Sequence, residues 1–436
     1  MKIMQQISYL LSLASGLGHA THHPKYSTWM LESVIARGEG INPADGLLGV
    51  IQKGLFQEAL RAAIKQSSDS EEIAKWTDYH RHSVDSNIEV LLNATASSRD
   101  LPLDRLCVGR SIIEANLDTP LHREVLKSLR RSIDLQYQNH NSGFWYFVNP
   151  PAPFPPYGNL SYSDGMYGYA PFAALYGLTY NDPRLNIDSA LFQLDVLYKH
   201  SIQQPSGLIK HGYDGSRNTP WADPITGASP IVWGRSLAWY LISAVDTLEI
   251  IQSNPSAKHT EEIFQGILSI FQRLSQATVS ALQDSAEKTN RFAIWQVMDQ
   301  PGEPENFVEA SAGIMVAYAL AKGVRLGYLS GPGFATSSEC ASSYLRVQDF
   351  LPPSTRDDRV IDVARAVYDD VVEHFVTRNM DDDTLDFEGT SVLASLHVEK
   401  LDYDYYTHRA VSKNSLIGTS AFVLAALEME LVDGLE

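Results

Sequence analysis

Apolar residues recur three and four positions apart along almost the whole chain, and runs that alternate apolar with polar residues between turn signals are scarce. A sequence patterned this way folds as helices laid against helices. The spacing predicts twelve, over 26–37, 46–65, 71–94, 104–115, 120–138, 164–180, 184–201, 230–252, 257–283, 307–328, 358–376 and 415–432. Twelve helices can pair as antiparallel hairpins stacked in a line or closed into a ring. A linear array tends to carry a recurring period of roughly 34 to 47 residues, and none is found. The expected fold is therefore all-α, an (α/α)6 barrel of six helical hairpins.

Hydrophobic residues make up 44% and charged residues 20% of the 436 positions, enough apolar surface to offset the ordering entropy and exclude a disordered chain. No shift in composition divides the sequence. One barrel domain is expected over 21–436, with a Ser- and Pro-rich insertion near 330–358. Lys2, the apolar run from Ile7 to Leu17 and the small residues ending at Ala20 predict a leader over 1–20 and hence a secreted protein; an ordinary first helix and a cytoplasmic location are the alternative. That run is too short to cross a bilayer, so no membrane partner is expected. The formal net charge of −18 repels polyanions and argues against nucleic-acid binding. Cys107 and Cys340 are too few for a disulfide framework and lack the spacing of a zinc site. Asn93 and Asn159 open glycosylation triplets, which arise by chance in most chains of this size.

Chemistry should concentrate on the long loops at 141–162 and 207–230, rich in Gly, Pro and aromatics. Asp164 follows the first loop and opens an apolar helix; Asp104 opens another. A lone Asp in that position is usually a helix cap. The two lie 60 residues apart, about one helical hairpin, which in a ring puts both helix starts at the same end of adjacent inner helices. Repulsion between them would raise one pKa, and the helix dipoles would oppose that. His211 sits in a turn-rich stretch, as a presented imidazole or a satisfied structural one. Arg235 and Trp239 are four apart on one helix face, a guanidinium beside an aromatic platform, or else a buried helix with a snorkelling Arg. Glu309 reads as structural, near a helix N-terminus. The acidic run Asp381, Asp382, Asp383 with Asp386 lacks calcium-loop spacing and reads as a solvated turn.

Taken in order, these stretches resemble glycoside hydrolase family 105, the unsaturated rhamnogalacturonyl hydrolases. The likeness rests on Gly143, Phe144, Trp145; Asp164, Gly165, Met166, Tyr167; Gly207 to Asp214; Trp221 to Arg235; and Ala317 to Leu329. It implies a glycosidase that acts on the unsaturated uronide oligosaccharides left by pectin and rhamnogalacturonan lyases, without metal or organic cofactor. By the same resemblance Asp164 is the acid that protonates C4 of the unsaturated sugar, and Asp104 its partner. His211, Arg235 and Trp239, together with Trp233, Trp145, Tyr146 and Tyr167, fall to substrate contact. Tyr146 stands where the family commonly has His, and Tyr162 and Ser163 where it has Trp and Leu, which bears on substrate identity. Two other readings stay open: an inverting glycosidase on a saturated sugar, and a non-catalytic sugar-binding scaffold.

Overall fold

The structure, a computed structural model, describes residues 25–43, 46–254, 260–329 and 358–434. The leader expected at 1–20 lies outside them, as does the insertion near 330–358 apart from its last residue. In chain order the first elements are α1 (Tyr26–Ala36), α2 (Gly46–Gln66), α3 (Ser70–Asp85), α4 (Ile88–Leu91), α5 (Ala94–Asp100), a 3-10 turn (Leu103–Leu106), α6 (Cys107–Glu114) and α7 (Pro120–Asp134). There follow β1 (Leu160–Tyr162), α8 (Gly165–Tyr180), α9 (Ile187–Ser201), β2 (Gly212–Asp214), α10 (Gly234–Gln252), α11 (Thr260–Thr289) and α12 (Ala310–Arg325). The last are α13 (Asp358–Phe375), β3 (Val376–Arg378), β4 (Leu385–Phe387), β5 (Thr390–Ser391), α14 (Tyr403–Thr407), β6 (Val411–Ser412) and α15 (Leu416–Asp433).

Six of these helices form a closed inner ring: α2 packs on α6, α6 on α8, α8 on α10, α10 on α12, α12 on α15, and α15 back on α2. The remaining long helices, α1, α3, α7, α9, α11 and α13, lie outside it, so the chain alternates between rings as an (α/α)6 barrel. Alternation makes the inner helices parallel. All their N-termini meet at one end.

Residue patterning sorts the two layers. Helix α10 buries nearly every residue on all sides, as a helix wrapped by neighbours must, whereas outer α7 buries a stripe built on Val125, Leu126, Leu129 and Ile133. Outer helices α7 and α9 start on strong caps. Thr119 accepts from His122 N–H ahead of Pro120, and Asn186 and Ser189 form a reciprocal capping box on α9.

The stretch 71–94, expected as one helix, is divided into α3 and α4. At the break, Ser86 Oγ and Asn87 Nδ2 both donate to the Ser83 carbonyl, local polar bonds that compete with the helical ladder. The stretch 104–115 begins as a 3-10 turn rather than an α-helix. Three two-stranded antiparallel ladders, β1 with β2, β3 with β4 and β5 with β6, were not expected from the sequence; each strand has only two or three residues.

Deep in the barrel an ionic cluster joins the inner helices. Arg110 bonds Asp246 at 2.6 Å and lies 3.3 Å from Glu58; Lys322 bonds Asp246 and Glu249, both at 2.7 Å. The hydroxyls of Tyr167 and Tyr318 donate to Glu58. Burial raises the Glu58 carboxyl above the carboxylate range, the two cations oppose the rise, and the Asp246 charge adds to it.

Candidate active site

Asp104 and Asp164 lie at the shared N-terminal end of the inner ring, on neighbouring elements. Their backbones touch through a glycine. A Cβ on Gly168, one turn into α8, would stand 2.8 Å from Asp104 Cα and 3.0 Å from the Leu103 carbonyl, so only Gly permits this approach. The connecting backbone reinforces it: Leu103 N–H donates to Tyr146 O at 3.0 Å, and Tyr146 N–H donates to Leu160 O at 2.8 Å, at the start of the strand that runs into Asp164.

Neither Asp is an ordinary cap. Asp164 holds the N-cap position of α8 but makes no side-chain capping bond, and its backbone is already helical. Its Oδ2 instead accepts from Ser236 Oγ, in the first turn of α10, and lies 3.5 Å from His211 Nε2. No other side chain among the described residues donates to Oδ1. The β1–β2 ladder sets this geometry by pairing Tyr162 with Gly212, and Ser163 N–H donates to His211 O at 2.9 Å. Asp104 is fully buried; Tyr146 O–H donates to its Oδ2, while Oδ1 is buried without a partner among the described residues.

The balance between repulsion and helix dipole is overtaken by a third effect, desolvation. Burial pushes the Asp104 carboxyl up to about 8, the Tyr146 hydroxyl opposes this, and the Asp164 charge adds to it. Burial likewise pushes Asp164 up to about 6, held back by the Ser236 hydroxyl and the Arg235 charge. The His211 imidazole is pushed down to about 3, first by burial and then by Arg235, so it is neutral at working pH. Between these values Asp104 keeps its proton while Asp164 exchanges one.

Of the other expected site residues, His211, Tyr146 and Arg235 come close to the pair. Arg235 does not offer an open guanidinium: it bonds Glu309 at 3.1 Å, Ser391 O at 2.5 Å and Val392 O at 3.0 Å. Glu309 has the structural place expected of it, capping α12 through Ala312 N–H while holding Arg235 and Ser391 N–H. The expectation that Trp239 presents an aromatic platform is not met. Its ring is 2% exposed and packs at 4.6 Å on Tyr167, whose hydroxyl is bonded to Glu58 in the barrel interior. Tyr167 is therefore also turned from any sugar. Trp233 is buried too, its Nε1 donating to Gln296 Oε1 at 2.9 Å and its ring 4.8 Å from His211. Trp145 is half-buried and packs edge-on against Tyr137 at 5.2 Å. The other three supply walls and packing rather than an open ring face.

Several residues that the sequence did not single out enter around Tyr162, which it did. Tyr406 O–H lies 2.7 Å from His211 Nδ1. The Tyr162 ring stacks on Tyr146 at 4.3 Å, and its hydroxyl sits 2.6 Å from His397 Nδ1 and 3.1 Å from Ser395 Oγ. Ser236 adjoins the quoted Arg235 stretch and could have been found there. His397 and Tyr406 lie nearly 200 residues beyond His211, in an aromatic stretch whose only sequence signal was its composition. The acidic turn at 381–383 closes the β3–β4 hairpin, with Asp382 accepting from Thr384, whereas Asp386, expected in the same solvated turn, lies buried in β4 and pairs with Lys413 at 2.8 Å; among the described residues no acidic or His cluster suits a metal.

Comparison with known proteins places the chain in a family. The family model described as Glycosyl Hydrolase Family 88 matches residues 50–349. Among solved structures, a family 105 glycoside hydrolase of C. acetobutylicum superposes with TM-score 0.73 at 23% identity, covering 93% of this chain and 99% of its own. The unsaturated glucuronyl hydrolase of Bacillus sp. GL1 superposes with TM-score 0.56 at 12% identity, covering 93% and 95%. At these identities the likeness is one of fold. Protein Atu3128 of Agrobacterium fabrum is 36% identical over 162 residues, which are 37% of this chain and 63% of that protein. The chain thus spans less than two thirds of the length of that curated relative. With a family match over more than half its length, the chain belongs to glycosyl hydrolase family 88.

Proposed function

We propose that the chain hydrolyses unsaturated uronides, removing the terminal 4,5-unsaturated galacturonyl residue from the oligosaccharides that pectin and rhamnogalacturonan lyases leave. Family membership supports a glycosidase, and the fold is shared with an unsaturated glucuronyl hydrolase. The observation that carries the reading is the Asp104 and Asp164 pair, one carboxyl held neutral and the other poised to give up its proton near pH 6.

An unsaturated uronide contains an enol ether, whose C4 accepts a proton readily. In the proposed reaction Asp164 delivers that proton from Oδ1, and a C4–H bond forms as the C4=C5 pair is used. Positive charge develops at C5 and the ring oxygen. The Asp164 carboxylate, with Ser236 O–H and His211 Nε2–H directed at Oδ2, is stabilised as it forms and faces the developing cation. It then takes a proton from water while the water oxygen bonds to C5. The hemiketal so formed opens by cleavage of the bond from C5 to the ring oxygen, and the hemiacetal left at C1 expels the aglycone as an alcohol. One water is consumed and Asp164 ends protonated. Neutral Asp104, held by Tyr146, adds no second negative charge to oppose departure of the Asp164 proton.

Incubation with lyase-digested rhamnogalacturonan, following the absorbance of the conjugated double bond, tests the reading. Loss of absorbance with release of a shortened saturated oligosaccharide is expected. Turnover of saturated sugars alone would favour the inverting glycosidase, and no turnover of any unsaturated oligosaccharide would end the proposal. A leader at 1–20 would carry the enzyme to the compartment where such fragments arise.

A further inference from the structure

His211 is fully buried between two polar groups. Its Nδ1 lies 2.7 Å from the Tyr406 hydroxyl, and its Nε2 lies 3.5 Å from Asp164 Oδ2. The second distance is longer than a formed hydrogen bond, in the range that tightens when a reacting group binds. A neutral imidazole carries one hydrogen, so two arrangements compete. With the hydrogen on Nδ1, the Tyr406 oxygen must accept, and the phenol hydrogen, fully buried, is left with no acceptor among the described residues. The bare Nε2 lone pair then faces a carboxylate oxygen, which repels it. With the hydrogen on Nε2, Tyr406 O–H donates to Nδ1 and Nε2–H points at Oδ2. This arrangement alone gives the phenol hydrogen an acceptor, and it leaves the Nε2 hydrogen, which has no formed bond among the described residues, beside a carboxylate that attracts it.

Tyr406 is itself held in place. Asp402 caps α14 by accepting from Tyr405 N–H at 3.1 Å. Gln296 Nε2 donates to the Tyr406 carbonyl at 3.0 Å, and the same amide accepts from Trp233 Nε1. The rings of Trp233 and Tyr162 flank His211 on other sides.

We infer that Tyr406 is a positioning residue of the Asp164 centre: its hydroxyl locks His211 as the Nε2–H tautomer, a neutral donor trained on Asp164 Oδ2. Donation into Nδ1 polarises the ring and strengthens the Nε2–H bond to the carboxylate. With Ser236 also addressing Oδ2, the exchangeable proton of Asp164 is left to Oδ1. The inference rests on the proposed reaction for its catalytic meaning, and on geometry alone for the tautomer.

Selective 15N-histidine labelling reads the tautomer directly, with the His211 signals assigned by their loss in His211→Gln. In the wild-type protein near neutral pH the hydrogen is expected on Nε2; finding it on Nδ1 overturns the inference, whatever the enzyme turns over. Tyr406→Phe, which removes one oxygen and keeps the ring, is expected to lower kcat about 5- to 50-fold with little change in KM, and to move the alkaline limb of the kcat profile upward as the Asp164 carboxylate loses support. Adding Tyr406→Phe to His211→Gln should then cost nothing further, because the hydroxyl acts through the imidazole. Independent, additive losses or an unmoved limb would make Tyr406 a packing residue only. If Tyr406→Phe does not fold, the wild-type resonances still decide. Absence of turnover on every unsaturated uronide with Nε2–H in place would sink the proposed reaction and leave the tautomer standing.

Discussion

At the scale of the residue, the proposed reaction turns on two carboxyls whose ordinary values are displaced by burial. In that proposal Asp164 brings a proton to the sugar, so turnover should fall as pH rises through about 6. Asp164→Asn should lower kcat by about 10²- to 10⁴-fold; a flat profile, or an Asn variant as fast as the parent, would remove Asp164 from the reaction. Asp104 makes a different prediction, about stability. Its folded value of about 8 exceeds its ordinary 3.8, so the folded state binds the extra proton between them. Stability is full below the ordinary value and is lost as pH rises through 8. Asp104→Asn, which cannot ionise, should gain about 5 kcal/mol at pH 8 and little at pH 4 in denaturant titrations. An equal effect at both pH values would mean the carboxyl is not displaced. Both aspartates were legible in the sequence through their spacing. Tyr406 was not, because its partner is 195 positions away and no local pattern encodes that bond.

At the scale of the element, the site depends on how closely α8 approaches the 3-10 turn that carries Asp104. Gly168→Ala places a methyl group against the Asp104 backbone, which cannot give way as a flexible side chain would. A loss of about 1–3 kcal/mol is expected, read from the unfolding midpoint, with a fall in turnover as the two carboxyls move apart. An unchanged midpoint would mean the contact is looser than the structure has it. Outer helices such as α7 were legible by a periodic apolar stripe, and inner ones such as α10 by apolar runs too long for a strand. The ladders were not, since two or three residues are too few for alternation to register. Trp239 marks a second limit: its position on the Arg235 face could be read, yet which way that face turns depends on Glu309, Ser391 and Val392, which capture the guanidinium.

At the scale of the molecule, the parallel inner helices enclose the ionic cluster around Glu58 and Asp246. Two cations, Arg110 and Lys322, serve Asp246, and burial raises the carboxyl of Glu58 beside them. Stability contributed by its proton is full below the ordinary carboxylate value and lost as pH rises through the raised one. Glu58→Gln should therefore raise the melting temperature more at pH 9 than at pH 5, and the reverse order would show that Glu58 is ionised in the folded protein. Net charge and composition foretold none of this cluster, because its members come from separate helices. The ring closes only where α15 docks on α2. A growing chain therefore makes its acid pair well before the anchors of Arg235 at 391–392 and the phenol that braces His211. A ribosome-bound fragment that stops short of them holds the two carboxyls without the frame that aims them.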